Sequence, residues 1–257
     1  MIDAYKEPSM DVLGNTIYVA DGDKKVKIYT YEGGALTLSK EMDVKDTGDS
    51  IAVDGNGNLY LNGGVFEATI YDPEGNETGK AAASGEIAVA KTADFALTRF
   101  PGQKAVTKIS GGAAEDWVIN KLGTSEGPGK FDNVNAIKIQ GDHVIVGGAD
   151  TEKGLIAAFD FSGNQLFVST DDPDGNLPEV VAETANGYMS TSAGTLNLIS
   201  PDGKLIAGEI TDDLFGVDYA WIYGLAPMED GSFLALITNH VQDASNAEIL
   251  LYKVTGF

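Results

Sequence analysis

The chain has 257 residues, with 39 Asp plus Glu against 17 Lys plus Arg, a net charge of −22 and no cysteine. This excludes disulfides, thiolate metal sites and a thiol nucleophile, and a surface so acidic repels nucleic acid and anionic lipid while suiting cations, neutral sugars or basic partners. No window offers the ~18 consecutive apolar residues of a membrane span, and the opening "MIDAYKEP" lacks the basic-then-apolar pattern of a secretory signal.

From residue 9 onward the chain reads as short strands parted by glycine turns. "SMDVL" and "TIYVADG" (16–22) give two strands, a third ends at Tyr29, Gly33 follows, and "ALTLSKEMDV" gives a fourth; helix is the nearest alternative over 41–47. The same phrase returns at once. "SIAVDGNGNLYLNGG" (50–64) carries two strands around a tight turn, then Tyr71, Gly75 and "ETGKAAA". The third copy runs "EIAVA", "DFALTRF", Ile109, Gly112 and "EDWVINK". The fourth runs "NAIKI", "HVIVGGA", Phe159, Gly163 and "QLFVST", and the fifth "EVVAE", "GYMSTSA", Ile199, Gly203 and "KLIAGEI". The sixth has "YGLAP", "SFLALIT", Tyr252 and Gly256, and no fourth strand. Residues 2–7, "IDAYKE", precede the first copy and are expected to supply that strand, leaving no unpaired ring edge.

The second strands are anchored by Ile17, Leu59, Phe95, Val144, Tyr188 and Phe233. Units of four short strands recurring roughly every 40–45 residues indicate propeller blades. The glycine after each third strand supplies the positive φ that the hairpin loop needs. The expected fold is therefore all-β, a six-bladed β-propeller with four antiparallel strands per blade. It forms one domain, 1–257, with blades near 9–44, 49–84, 85–121, 133–170, 178–210 and 222–257 plus 1–8.

"GTSEGPGKFDNVNAIKIQGDHVIVGGAD" (123–150) resembles the NHL repeat, and "NTIYVADGDKKVKIYTYEG" (15–33) carries the second half of that pattern. The resemblance implies a six-bladed propeller. It does not imply a function, because such folds host binding modules and enzymes alike.

Signals for catalysis are sparse. The two histidines, His143 and His240, stand in no nucleophile motif and read as surface residues. "DGNGN" (54–58), "DDPDGN" (171–176) and "ADGDK" (20–24) resemble fragments of calcium loops, but they lack the distal bidentate Glu and sit where hairpin turns want Asp, Asn and Gly. The strongest constellation comes from the fold. The first residues of the inner strands should ring the channel mouth: Glu7 or Ser9, Asp49 or Ser50, Glu86, Asn133 or Asn135, Glu179 and Tyr223. Carboxylate and amide oxygens are calcium ligands, so Glu7, Glu86, Asn135 and Glu179 are the candidate metal set; the same ring also reads as a water-filled polar mouth. The senescence-marker/gluconolactonase propellers, which this mouth distantly resembles, imply a metal held by acid, amide and acid side chains, for which Glu7, Asn135 and Glu179 fall on comparable blades.

A second candidate surface is "TDDLFGVDYAWIYG" (211–224), which gathers Phe215, Tyr219, Trp221 and Tyr223. Such a loop forms either a recognition platform or a plug over the core. Its larger apolar payload favours burial of Trp221, with Tyr219 or Tyr223 at a wet rim. The leading expectation is a non-enzymatic binding propeller. It would use Asp49, Phe215, Tyr219, Trp221 and Tyr223, and its partner would be a protein, peptide or carbohydrate. The chain is expected to be a monomer, extracellular, periplasmic or displayed at a cell surface, with no cofactor required and one divalent cation, calcium, admitted. The competing expectation is a metal-dependent hydrolase of the lactonase type at the channel mouth, with Asp49 or Glu86 as base.

Overall fold

The computed structural model describes residues 8–63, 66–83, 85–99, 106–111, 113–117, 131–150, 153–169, 171, 178–192, 194–228, 230–239 and 248–255. Six antiparallel sheets follow one another in the chain. Blade one is β1 (Ser9–Leu13), β2 (Thr16–Ala20), β3 (Lys25–Glu32) and β4 (Ala35–Asp43). Blade two is β5 (Ser50–Val53), β6 (Leu59–Asn62), β7 (Glu67–Tyr71) and β8 (Glu77–Ala82). Blade three is β9 (Glu86–Val89), β10 (Ala96–Arg99), β11 (Val106–Ser110) and β12 (Ala113–Asp116). Blade four is β13 (Asn133–Gln140), β14 (His143–Ala149), β15 (Gly154–Asp160) and β16 (Gln165–Val168). Blade five is β17 (Val180–Thr184), β18 (Gly187–Ser192), β19 (Thr195–Ile199) and β20 (Leu205–Ile210). One short helix, α1 (Thr211–Phe215), leads to blade six: β21 (Ala220–Pro227), β22 (Phe233–Asn239) and β23 (Glu248–Val254).

Every blade is a simple meander, so register is set hairpin by hairpin. Five of the six expected second-strand anchors pair as the repeat requires: Ile17 with Val12, Leu59 with Val53, Val144 with Ile139, Tyr188 with Glu183 and Phe233 with Pro227. The sixth, Phe95, stands one residue ahead of β10, and its carbonyl accepts Ala90 N in the turn. Residues 41–47 are not helical, since β4 runs through Asp43; pairing with β3 overrides the local helix preference. The fourth strand of blade three begins at Ala113, two residues ahead of "EDWVINK". Residues 2–7, expected to close blade six, lie outside the described residues.

The turn from third to fourth strand is the same device in four blades. Ladder register shifts by one residue before Tyr29, Tyr71, Phe159 and Ile199; the bulge ends the ladder in blades two, four and five, whereas in blade one pairing runs on past Tyr29 to Glu32 with Ala35. A glycine in the left-handed region then turns the chain, as at Gly75 (φ 97°) and Gly203 (φ 89°). Asp72 Oδ1 accepts the Asn76 amide N–H at 2.7 Å, and its Oδ2 takes the Asn76 side-chain amide at 2.9 Å. Asp160 does the same with Asn164, and Asp54 with Asn58 in the β5–β6 turn. The one carboxylate of "DGNGN", Asp54, is thus committed to the turn itself, as the hairpin reading has it.

Alternation along each sheet sends apolar side chains to both neighbouring blades. The result is six separate buried clusters, one at each blade interface. The inner strands pack in a closed ring, β1–β5–β9–β13–β17–β21 and back to β1. At the closing interface Met10, Ile17 and Val19 meet Ala226, Leu234 and Leu236. Gly224 has no side chain because a Cβ there would stand 3.0 Å from the Met10 Cβ.

Outside that cluster, Asp230 in the β21–β22 turn accepts Lys253 Nζ at 2.8 Å and Tyr31 Oη at 3.1 Å, which ties blade six to blade one. Lys253, Ser232 and Tyr31 hold its carboxyl far below the usual carboxylate range. A depressed folded-state value contributes stability above the unfolded-state value and loses it as pH falls. Asp230→Asn is therefore expected to lower the melting temperature at neutrality, and the gap to wild type should close as the solution is acidified through and below the carboxylate range. A gap that does not change with pH would show that this ion pair does not help to close the ring.

Candidate binding site

The six inner strands enclose a central channel with a cavity of about 630 Å³. Asp49, Glu86, Arg99, Glu179, Trp221 and Tyr223 line it near the start of the inner strands, and Asp11 and Lys138 line it further along. Asp49 immediately precedes β5, Glu86 opens β9 and Glu179 immediately precedes β17. In ring order, blade three faces blade six and blade two faces blade five.

An inner strand has no strand beyond it, so its outward backbone donors need other acceptors. In blades two to five, side chains of the preceding blade supply some of them. Asp11 Oδ2 accepts Val53 N at 2.9 Å, Ser50 Oγ accepts Ile87 N at 3.0 Å and Glu86 Oε2 accepts Ile137 N at 3.2 Å. Gln140 Oε1 accepts Glu183 N at 3.1 Å while its Nε2 donates to Glu183 O at 2.7 Å. Lys138 Nζ donates to Leu225 O of blade six. Several polar residues at the axis are therefore structural before they are anything else.

Charge at the axis is partly paired. Asp11 Oδ2 meets Lys91 Nζ at 2.9 Å, and Glu86 Oε2 meets Arg99 Nε at 2.6 Å. Burial pushes the Glu86 carboxyl up, against the opposing pull of Arg99. Burial also lowers the Lys138 ammonium to about 8, against the attraction of Asp11. Three groups keep capacity to spare. Arg99 is 10% exposed, and its Nη1 is buried without an acceptor. Glu179 is exposed and has no ion-pair partner among the described residues, and partial burial pushes its carboxyl up. Asp49 is exposed and takes a hydrogen bond from Thr47 Oγ1 at 2.8 Å.

Of the expected site residues, Asp49, Glu86, Glu179, Trp221 and Tyr223 come together at one mouth. Asn135 lies in β13 at a bulge and does not line the cavity. Glu7 lies outside the described residues. No group of three His, Cys, Asp or Glu close enough to hold a metal occurs among the described residues. His143 Nδ1 is 2.7 Å from Glu183 Oε2 at the start of β14, and His240 lies outside the described residues.

The aromatic segment divides between plug and rim, but not as expected. Trp221 is 45% exposed rather than buried, Tyr219 is 52% exposed and Tyr223 is half-buried. Phe215 is the buried one, 5.2 Å from the Tyr252 ring in the core between blades five and six. The reason is strand alternation: Ala220 and Ile222 take the core positions of β21, which turns Trp221 the other way. Thr211 Oγ1, donating to Ala220 O at 2.6 Å, and Asp212 Oδ1, accepting Ala220 N at 2.7 Å, fasten the segment. Tyr219 is held at φ 58°, unusual for a bulky residue, just before the rim.

Sequence reading did not pick out Asp11, Arg99 and Lys138. Each had a signal: a charge inside a short apolar strand phrase, "SMDVL", "DFALTRF" and "NAIKI". Compared with known families and with curated proteins, the chain matches no family model and no curated relative.

The Lys138 amine offers a pH test. Between about 8 and 10.5 the unfolded chain keeps a proton that the folded chain releases, so stability rises with pH across that window. Wild type should gain stability relative to Lys138→Met over it, measured by urea unfolding. A difference that stays flat would place Lys138 in water rather than in the channel.

Proposed function

We propose that this propeller is a non-enzymatic binding protein that takes its ligand at the channel mouth formed by Asp49, Glu86, Glu179, Trp221 and Tyr223. One observation carries the reading: a carboxylate with no ion-pair partner among the described residues, Glu179, stands on the blade next to that of a half-exposed Trp221, both lining a cavity of about 630 Å³. That volume suits a small organic ligand or the end of a larger chain. Aromatic faces beside carboxylates recognise sugars, peptide groups or ammonium groups. Descent from NHL-like propellers, on the pattern of residues 15–33 and 123–150, belongs to the same reading, as does a place outside the cytoplasm, in a periplasm or at a cell surface. Glu86 argues for binding over metal-assisted hydrolysis, because Oε2 already faces the cationic Arg99 and the Ile137 amide.

A thermal-shift screen tests this with three panels: neutral oligosaccharides, short peptides and divalent cations. A ligand that binds only the folded state must raise the melting temperature. At least one organic panel should do so for wild type and fail for Trp221→Ala. The variant itself should lose only about 1 kcal/mol, the ordinary cost of a point substitution, rather than the ~3–5 kcal/mol of emptying a buried site. A rise with calcium alone would favour the metal-dependent reading, and no rise with any panel would remove the channel mouth as a binding site.

A further inference from the structure

Building on the channel-mouth reading, we infer that the ligand is a zwitterion, a short free peptide, with its carboxylate on the Arg99 side of the mouth and its ammonium against Glu179, Trp221 and Tyr223. The two sides are chemically opposite and face one another across the ring. On blade three, Arg99 gives Nε to Glu86 and leaves Nη1 enclosed without an acceptor. A buried donor left without an acceptor is costly, and a planar guanidinium is suited to a carboxylate. On blades five and six, Glu179 has no ion-pair partner among the described residues, and Trp221 and Tyr223 of the next blade line the same cavity. A carboxylate beside aromatic faces is an ammonium site.

The bookkeeping of charge then selects the ligand class. A neutral sugar displacing water from this mouth would bring no anion to Arg99 Nη1 and no cation to Glu179. A simple anion would meet Arg99 Nη1 and leave Glu179 unmatched, and a simple cation would do the reverse. A ligand with one charge at each end meets both sides. The cavity of about 630 Å³ leaves room between them for a peptide backbone.

The test is calorimetric titration of the full chain with a pool of free tripeptides, the same pool amidated at the C-terminus, and the same pool acetylated at the N-terminus. The free pool should bind, and each blocked pool should lose about tenfold or more in affinity. Glu179→Gln should erase the difference between free and acetylated pools while preserving that between acid and amide. Arg99→Lys should do the reverse; the blocked pools on wild type give the same information if that variant does not fold. Equal binding of all three pools overturns the zwitterion. So does binding of a neutral disaccharide pool or of calcium with no binding of peptides, and either result leaves the channel mouth standing as a site. No binding by any probe overturns both.

Discussion

The open edge of the innermost strand is the constraint on which this molecule depends. In a four-stranded meander the strand nearest the axis has a neighbour on one side only, and its other row of backbone groups points to where the six blades converge. Water cannot serve every one of these groups in a narrow, ring-shaped core. From blade one to blade five the chain solves the problem with side chains handed from one blade to the next: Asp11 to Val53, Ser50 to Ile87, Glu86 to Ile137 and Gln140 to Glu183. Each bond fixes the angle and height of one blade against its neighbour. The ring is thus held by a directional polar network inside and by six non-directional apolar clusters outside it.

This arrangement explains why a protein with a net charge of −22 has cations at its centre. Carboxylates brought to the axis to cap backbone donors need counter-charges in a low-dielectric setting. Lys91 answers Asp11, and Arg99 answers Glu86. Lys138 spans from blade four to a blade-six carbonyl, where partial dehydration lowers its ammonium to about 8. Polar residues at a channel mouth are easily taken for ligand-binding groups, yet most of these have a complete structural account. Function has to be sought in what the network leaves over: the second face of Arg99, the carboxylates of Glu179 and Asp49, and the aromatic rim.

The rim arises from a local decision in the chain. Five residues of helix, a left-handed Gly216 (φ 66°) and a left-handed Tyr219 (φ 58°) bring the chain into β21 with Ala220 and Ile222 facing the core. Phe215 fills the gap between blades five and six, which releases Trp221 to the mouth. One segment therefore supplies both the plug and the platform.

Most of the architecture was legible in the sequence, because the repeat is local physics written six times. A strand pair, a bulge and a left-handed glycine need only residues within one blade, so Ile17, Leu59 and Val144 could be placed on second strands, and Gly33, Gly75, Gly163 and Gly203 at turns, without knowing anything of the other blades. That the first residues of inner strands meet at one mouth also followed from the fold, and Asp49, Glu86, Glu179 and Tyr223 do meet there. What the sequence could not decide is anything that depends on two blades at once. Whether Glu86 is free or paired turns on Arg99 in the next strand and on the Ile137 amide in the next blade. Whether Trp221 is buried turns on which of its neighbours the core between blades five and six accepts. Asn135 falls out of the cavity because β13 carries a bulge there that no residue pattern announces. Pairing and exposure at the axis are properties of the closed ring, and the tertiary structure alone closes it.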